Sequence, residues 1–423
     1  MNKKISLGAA IAYMAIVAAL TISITMMFSM RLFSDKVHSV NEREAMYDKL
    51  AEIDQYTRQH FFGTIDEAKL MDNIAKGYVA GLGDAYARYL DANEYTRLTM
   101  EYDRKNVGVG FLLEPDLNGY LVVKEVYPNS PAQSAGIQTG DLVVKINNDD
   151  VSFDNVKTIK NNIIGEAGTK VSLVVRRGTD DTAMELTRRY VEIPVVSSKR
   201  IGDAGYIRIK EFTDLTPEQF NKQLDKLISD GVTGLIIDVR NNNGGTVKSV
   251  AKVLDRLLPA GDIVSAEYND GKTEVLEVSD AIEISLPMVV LANEKTISAA
   301  ELFAQAIKDY NKGKVVGTTT FGKGLMQTIY QLTDGSAIEI TIGKYNPPKS
   351  PNFNGIGVKP DFEVKLTADQ EKVFEFLNDT TDLQFKKAQE VLAAAVKSNS
   401  DTNGSASNAS SKSSSSASSS AKK

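Results

Sequence analysis

The chain has 423 residues, 42% of them hydrophobic and 25% charged, and a net charge of −6; that is enough for two or three ordinary cores, and no basic stripe marks a nucleic-acid partner. It has no cysteine, which excludes disulfides, thiolate nucleophiles and cysteine metal ligands, and its two histidines, His38 and His60, both lie near the N-terminus. A catalytic region farther along therefore has no histidine for a triad or a zinc site, so any serine nucleophile needs another base and neither metal nor cofactor is expected.

From Ile5 to Met30 the chain carries no charge. As a helix rising about 1.5 Å per residue, this stretch would span roughly 39 Å, against a bilayer core of about 30 Å. Its end, "TMMFSMRLF", is bulky and unlike a signal-peptidase site. Residues 1–36 are therefore read as a cytoplasmic N-terminus, with Lys3 and Lys4 kept inside, followed by a transmembrane signal anchor that leaves the rest of the protein outside the cytoplasm. Residues 37–103 follow a 3.6-residue apolar period and are read as helical. In 104–195 the segments "GYLVVKEV", "DLVVKINN" and "KVSLVVRR" are short strands rich in β-branched residues. Residues 196–366 alternate strand and helix. There "GLIIDV" and "PMVVLAN" are unbroken apolar runs, as strands covered on both faces of a parallel sheet are. The fold class is mixed α/β. A further helical region is expected at 367–396, and the Ser-rich end, 397–423, is too polar to build a core and is read as disordered.

Two stretches of the 196–366 region carry chemistry. In "KTISAAELF", Ser298 and Glu301 have the spacing of a capping box at a helix start. A serine after a buried strand is also where acyl-transfer enzymes place a nucleophile, and the local sequence leaves both readings of Ser298 open. In "VVGTTTFGKGLMQT" the pattern Gly317-x4-Gly322-Lys323 approaches a P-loop. Gly324 stands where the Mg²⁺-binding hydroxyl belongs, however, and "LMQTIYQL" alternates like a strand, so nucleotide binding is set aside. Glycines around a lysine let the backbone pack closely and desolvate the amine, which favours its neutral, basic form. Lys323 follows Ser298 by 25 residues, past one helix and one short strand, so the two can meet at one sheet edge. A serine with a lysine base needs no histidine. The oxyanion donors would be the N–H of Gly244 or Gly245, at the end of "DVRNNNGG", and that of Ala299.

From about residue 40 to 366 the sequence resembles the carboxy-terminal processing proteases, PDZ-containing serine–lysine peptidases of the tail-specific type. "NEKTISAAE" is similar to the family's nucleophile motif and puts Ser298 at the nucleophile. "TFGKGLMQ" matches its lysine motif, which makes Lys323 the base and Gln327 the residue that positions it. "DVRNNNGG" and "GIGVKPD" match two further motifs. Ala300, Ile297 and Asn243 depart from the family pattern, where a serine, an alanine and a proline are usual. The resemblance implies a PDZ domain at 104–195 and an α/β peptidase core of crotonase-like type at 196–366. In the PDZ domain, Gly108 and Gly110 would turn N–H groups towards a peptide carboxylate, while Val109 and Phe111 would wall an apolar pocket. The implied activity is serine-type endopeptidase action on polypeptides captured by their C-termini, without metal or cofactor. A catalytically inactive PDZ scaffold at the membrane is the competing reading, and homo-oligomerisation is left open.

Overall fold

The computed structural model describes residues 7–102, 107–116, 119–280 and 282–413, in two compact units, Met1–Ile74 and Ala75–Lys423. In the first, one helix runs from Leu7 to His60 without a break at the expected boundary near residue 36. Arg58 joins its last turns to the next helix, bonding Asp54 at 2.8 Å and Glu67 at 2.7 Å. Among the described side chains no helix is long and apolar enough to cross a membrane. Those of residues 7, 9–12, 15 and 31–42, which include His38, lie outside that description, so the fold itself gives the expected anchor no support.

In the second unit, a sheet of short antiparallel strands encloses its own core, built from Val109, Leu121, Val143, Ile146, Val171 and Leu173 among others. Strand Lys170–Arg177 shows the cause, since alternate residues are buried, as one-faced packing requires. Strand Phe111–Pro115 lies at the edge of this sheet, paired among the described residues with Leu121–Val126 alone.

The larger part is organised by a six-stranded sheet in the order Val196–Ile201, Ala204–Ile209, Gly234–Asp238, Met288–Ala292, Gly313–Gly317, Phe362–Glu363. Every pair after the first hairpin is parallel. All residues of Gly234–Asp238 and Met288–Ala292 are buried, as their unbroken apolar runs require. Helices Thr216–Ser229, Val247–Asp255 and Ala299–Asp309 cover one face. Phe385, Ala388 and Leu392 of helix Leu383–Ser413 cover the other, packing on Ile236, Val289, Leu291 and Val316. The C-terminal helix is thus a layer of the core rather than an appendage. It continues to Ser413, beyond the Val396 limit read from composition, because a helix nucleated by packed residues propagates at little cost. Residues 414–423 of the expected tail lie outside the described residues.

One element departs from the expected wholly helical 37–103 region. Arg88–Leu90 is a strand, pairing antiparallel with Ala337–Asn346 in a second, five-stranded sheet. Three residues are too few to display a strand period, so pattern alone cannot show it.

Candidate active site

Strands Gly234–Asp238 and Met288–Ala292 run parallel, so their following loops leave the same sheet edge. Side-chain amides stitch these loops together. Asn293 Oδ1 accepts the Asn241 N–H at 3.0 Å, and Asn293 Nδ2 donates to Asn241 Oδ1 at 2.8 Å. The Thr296 hydroxyl donates to the Val239 carbonyl at 2.9 Å, and the Ile297 N–H donates to the Asn242 carbonyl at 2.9 Å. Beneath them Arg240, 3% exposed, bonds Asp238 at 2.6 Å and Asp382 of the C-terminal segment at 2.8 Å. Burial alone would raise the Asp238 carboxyl, but the Arg240 guanidinium outweighs it and the net result is below the usual carboxylate range. The loops at this edge are therefore held by buried polar bonds.

Ser298 ends the second loop with φ 58° and ψ −120°, a combination that costs a residue with a side chain on the order of 1–3 kcal/mol. Glu301, fully buried, holds it there. Its Oε2 accepts the Ser298 N–H at 2.8 Å and the Lys323 N–H at 2.8 Å, and its Oε1 accepts the Gly322 N–H at 2.6 Å and the Thr320 hydroxyl at 2.5 Å. The glutamate half of the capping box is therefore made, and the same carboxylate ties the serine's backbone to the lysine's. The serine hydroxyl also meets a tyrosine. It lies 3.0 Å from the Tyr345 hydroxyl, which is also 2.6 Å from the Lys323 carbonyl oxygen. Burial pushes the Tyr345 phenol well above its ordinary value, so it carries one proton. A carbonyl can only accept, so that proton is committed to Lys323 O and the Ser298 hydroxyl donates to Tyr345.

Lys323 sits on a tight loop. Gly322 has φ 94°, and a Cβ there would come within 3.0 Å of the Gly357 nitrogen, which is why the glycine-rich "GIGVKP" segment must lie against it. The lysine is half-buried, with Nζ 4.5 Å from the centroid of the Tyr86 ring. Burial holds its amine below the ordinary lysine value and Arg88 adds to this, while Glu339 and Asp84 oppose it. The Gly244 N–H is already used, donating to Asn242 Oδ1 at 2.8 Å. Among the described residues no hydrogen bond uses the N–H of Gly245 or of Ala299. A Cβ on Gly244 would lie 2.9 Å from the Ser298 Cβ and 3.1 Å from the Ala299 nitrogen, so only glycine permits the two loops to touch. The result is a cleft of about 410 Å³ lined by Gly244, Gly245, Ser298, Lys323, Gln327 and Tyr345 together with their neighbours.

The family "Peptidase family S41" matches residues 203–364, and "PDZ domain" matches residues 122–177. The chain is 29% identical over 375 residues to the carboxy-terminal processing protease CtpA of Bacillus subtilis (strain 168), covering 86% of this chain and 80% of that one. It is 29% identical over 348 residues to a probable CtpA-like serine protease of Staphylococcus epidermidis (strain RP62A), covering 82% and 71%. The chain belongs to the carboxy-terminal processing protease family. Among solved structures, the photosystem II D1 C-terminal processing protease matches with 29% identity and a TM-score of 0.48, over 80% of this chain and 93% of that one. Its sequence relatives, rather than that fold match, make the protein a serine-type carboxy-terminal processing peptidase.

Of the residues singled out in the sequence, the structure gathers Ser298, Lys323, Gln327, Gly244 and Gly245 around one cleft, with Ala299 next to Ser298. Gln327 reaches the cleft, but its amide donates to the Thr341 hydroxyl at 3.2 Å rather than to Lys323. In the PDZ domain Val109 is fully buried among Leu121, Val123 and Ala132, so it belongs to the core and does not wall a pocket. Gly108 pairs with Arg189, and Phe111 is half-buried at the start of the edge strand. Gly110 has φ 86°, and a Cβ there would come within 2.2 Å of the Ser130 Cβ. Three participants escaped the sequence reading: Tyr86, Tyr345, and Glu301 in its role as a bridge. Nothing in "GDAYARYL" or "TIGKYNPP" marks either tyrosine, whereas the glutamate was visible only as a cap.

Proposed function

We propose that the protein is a membrane-anchored endopeptidase, with its catalytic region outside the cytoplasm, that captures polypeptide C-termini on its PDZ domain and cleaves them with a Ser298–Lys323 dyad. The observation that carries the dyad is the single cleft lined by Ser298, Lys323 and Gly245. In the reaction the neutral Lys323 amine takes the Ser298 proton as Oγ attacks the substrate carbonyl. The oxyanion faces the uncommitted N–H groups of Gly245 and Ala299. Lys323 then protonates the departing amine, leaving an acyl-enzyme, and deprotonates the water that hydrolyses it. Support for peptide capture is the unpaired side of strand Phe111–Pro115, beside which an extended chain can add. Support for the anchor is the charge-free run Ile5–Met30. Within helix Leu7–His60 it leaves Ile16, Leu20, Ile22, Met27 and Phe28 more than half exposed, surface better suited to lipid than to water.

The test is cleavage of a loosely folded substrate by Ser298→Ala, Lys323→Ala and the double variant. Each single change abolishes cleavage, and the double is no worse, because the two residues act as one unit. Substantial proteolysis by Ser298→Ala overturns the assignment. Digestion of the protein by protease added outside intact protoplasts tests the topology, and recovery of full-length chain in the cytosol refutes it.

A further inference from the structure

The cleft brings Ser298 and Lys323 together without bonding them. Among the described residues, Lys323 Nζ has no hydrogen bond or ion pair, and its neighbour is the face of Tyr86 at 4.5 Å. The nearby carboxylates are engaged elsewhere. Glu339 pairs with Arg88 at 2.5 Å, while Asp84 accepts the Tyr86 N–H at 2.9 Å and the Thr341 N–H at 3.3 Å. The other charged or titratable groups described around the lysine are Arg88 on strand Arg88–Leu90, Glu211 in the cleft lining, Tyr345, bonded to the Lys323 carbonyl, and Glu301, bonded to the Lys323 N–H. An aromatic face attracts an ammonium and not a neutral amine, whereas a general base must be neutral. The Tyr86 ring therefore favours the form of Lys323 that cannot accept the Ser298 proton.

The geometry points to Tyr86 as a holding residue, which keeps Lys323 Nζ engaged as a cation, out of hydrogen-bond contact with Ser298, until the Gly83–Ala87 loop shifts. This rests on Lys323 being the base. The loop is tied to strand Ala337–Asn346 through Asp84, so a shift of that sheet edge is passed to Tyr86. It leads directly into strand Arg88–Leu90, and helix Ala92–Tyr102 carries the chain on towards the PDZ domain. Tyr86 itself is only half-buried, so exchanging its ring leaves the main core intact. The resting serine is held in a matching way, its hydroxyl directed to Tyr345 rather than to the lysine.

The experiment measures the pH profile of kcat/KM for a short peptide with the full-length protein in detergent, comparing wild type, Tyr86→Phe, Tyr86→Leu and Lys323→Ala. Loss of the ring in Tyr86→Leu moves the midpoint of the rising limb towards acid by about half to one pH unit, with a gain of about three- to tenfold below the midpoint. Tyr86→Phe, which keeps the ring, superimposes on wild type. Mono- and trifluorinated phenylalanine at position 86 keep the ring's size while weakening its negative face, and they move the midpoint towards acid in steps even if the leucine variant folds poorly. A Tyr86→Leu or fluorinated profile coincident with wild type overturns the inference, as does a Tyr86→Phe profile shifted as far as that of Tyr86→Leu. Activity in Lys323→Ala instead defeats the dyad; an inactive Lys323→Ala beside unmoved Tyr86 profiles defeats only the holding role.

Discussion

Replacing Glu301 by Gln changes one oxygen to an amide and keeps the volume, yet the structure predicts a large effect. Each carboxylate oxygen accepts two bonds: Oε1 from Thr320 and Gly322, Oε2 from Ser298 and Lys323. Whichever oxygen becomes NH₂ faces two donors with nothing to accept them. Two charge-assisted hydrogen bonds at about 1.5–3 kcal/mol each give a loss of about 3–6 kcal/mol, a large share of a typical 5–15 kcal/mol. If the amide replaces Oε2, the link between the serine's backbone and the lysine's is broken. A displacement of about 1 Å between reacting groups costs on the order of a hundredfold in rate. Urea denaturation followed by fluorescence reads the first effect, and initial rates on a loosely folded substrate read the second. A stability loss below about 0.5 kcal/mol, the size of an ordinary surface change, together with a rate within a few-fold of wild type, would refute the bridging role.

Three further outcomes follow from the site. Ser298→Gly relieves the positive φ, so it should be inactive yet more stable than Ser298→Ala by about 1–3 kcal/mol, read by denaturant midpoints. Lys323 has its folded-state pKa lowered by burial, so it costs stability while charged and ceases to do so as pH rises through the folded and then the unfolded value. Lys323→Met should accordingly be more stable than wild type at pH 7, with the difference shrinking towards pH 10 in paired melting curves. Asp382→Ala leaves the buried Arg240 with Asp238, Gln384 and the face of Phe374, and should cost about 1–3 kcal/mol and loosen the Asn241–Gly245 loop, read as faster amide exchange there.

Much of this site was legible because it is built from residues close in sequence, in motifs with a local physical reason. Gly322 and Gly244 are glycines because loops pass within contact distance there, and Gly234–Asp238 and Met288–Ala292 read as buried strands because both faces are covered. What stayed hidden is what the fold assembles from afar. Tyr345 lies 47 residues from Ser298, and Tyr86 comes from a stretch whose period is helical. The commitment of the Gly244 N–H to Asn242 was equally invisible, since it depends on how one turn closes. Val109 was misplaced for a related reason, because an apolar residue between two glycines looks the same whether it faces a pocket or a core.

The short pairing of Arg88–Leu90 with Ala337–Asn346 has a consequence for how the protein comes into being. The Arg88–Glu339 bond joins residues 251 positions apart, and the PDZ strands lie wholly between them. The PDZ domain is therefore a loop grown on the peptidase, not a bead threaded before it. A chain emerging N-terminus first completes this sheet only when its late strands arrive, and such distant closure is slow. Until then the segment that carries Tyr86 has no sheet to join and the lysine has no finished cleft. The cleft therefore cannot be complete until the chain has been made through Asn346.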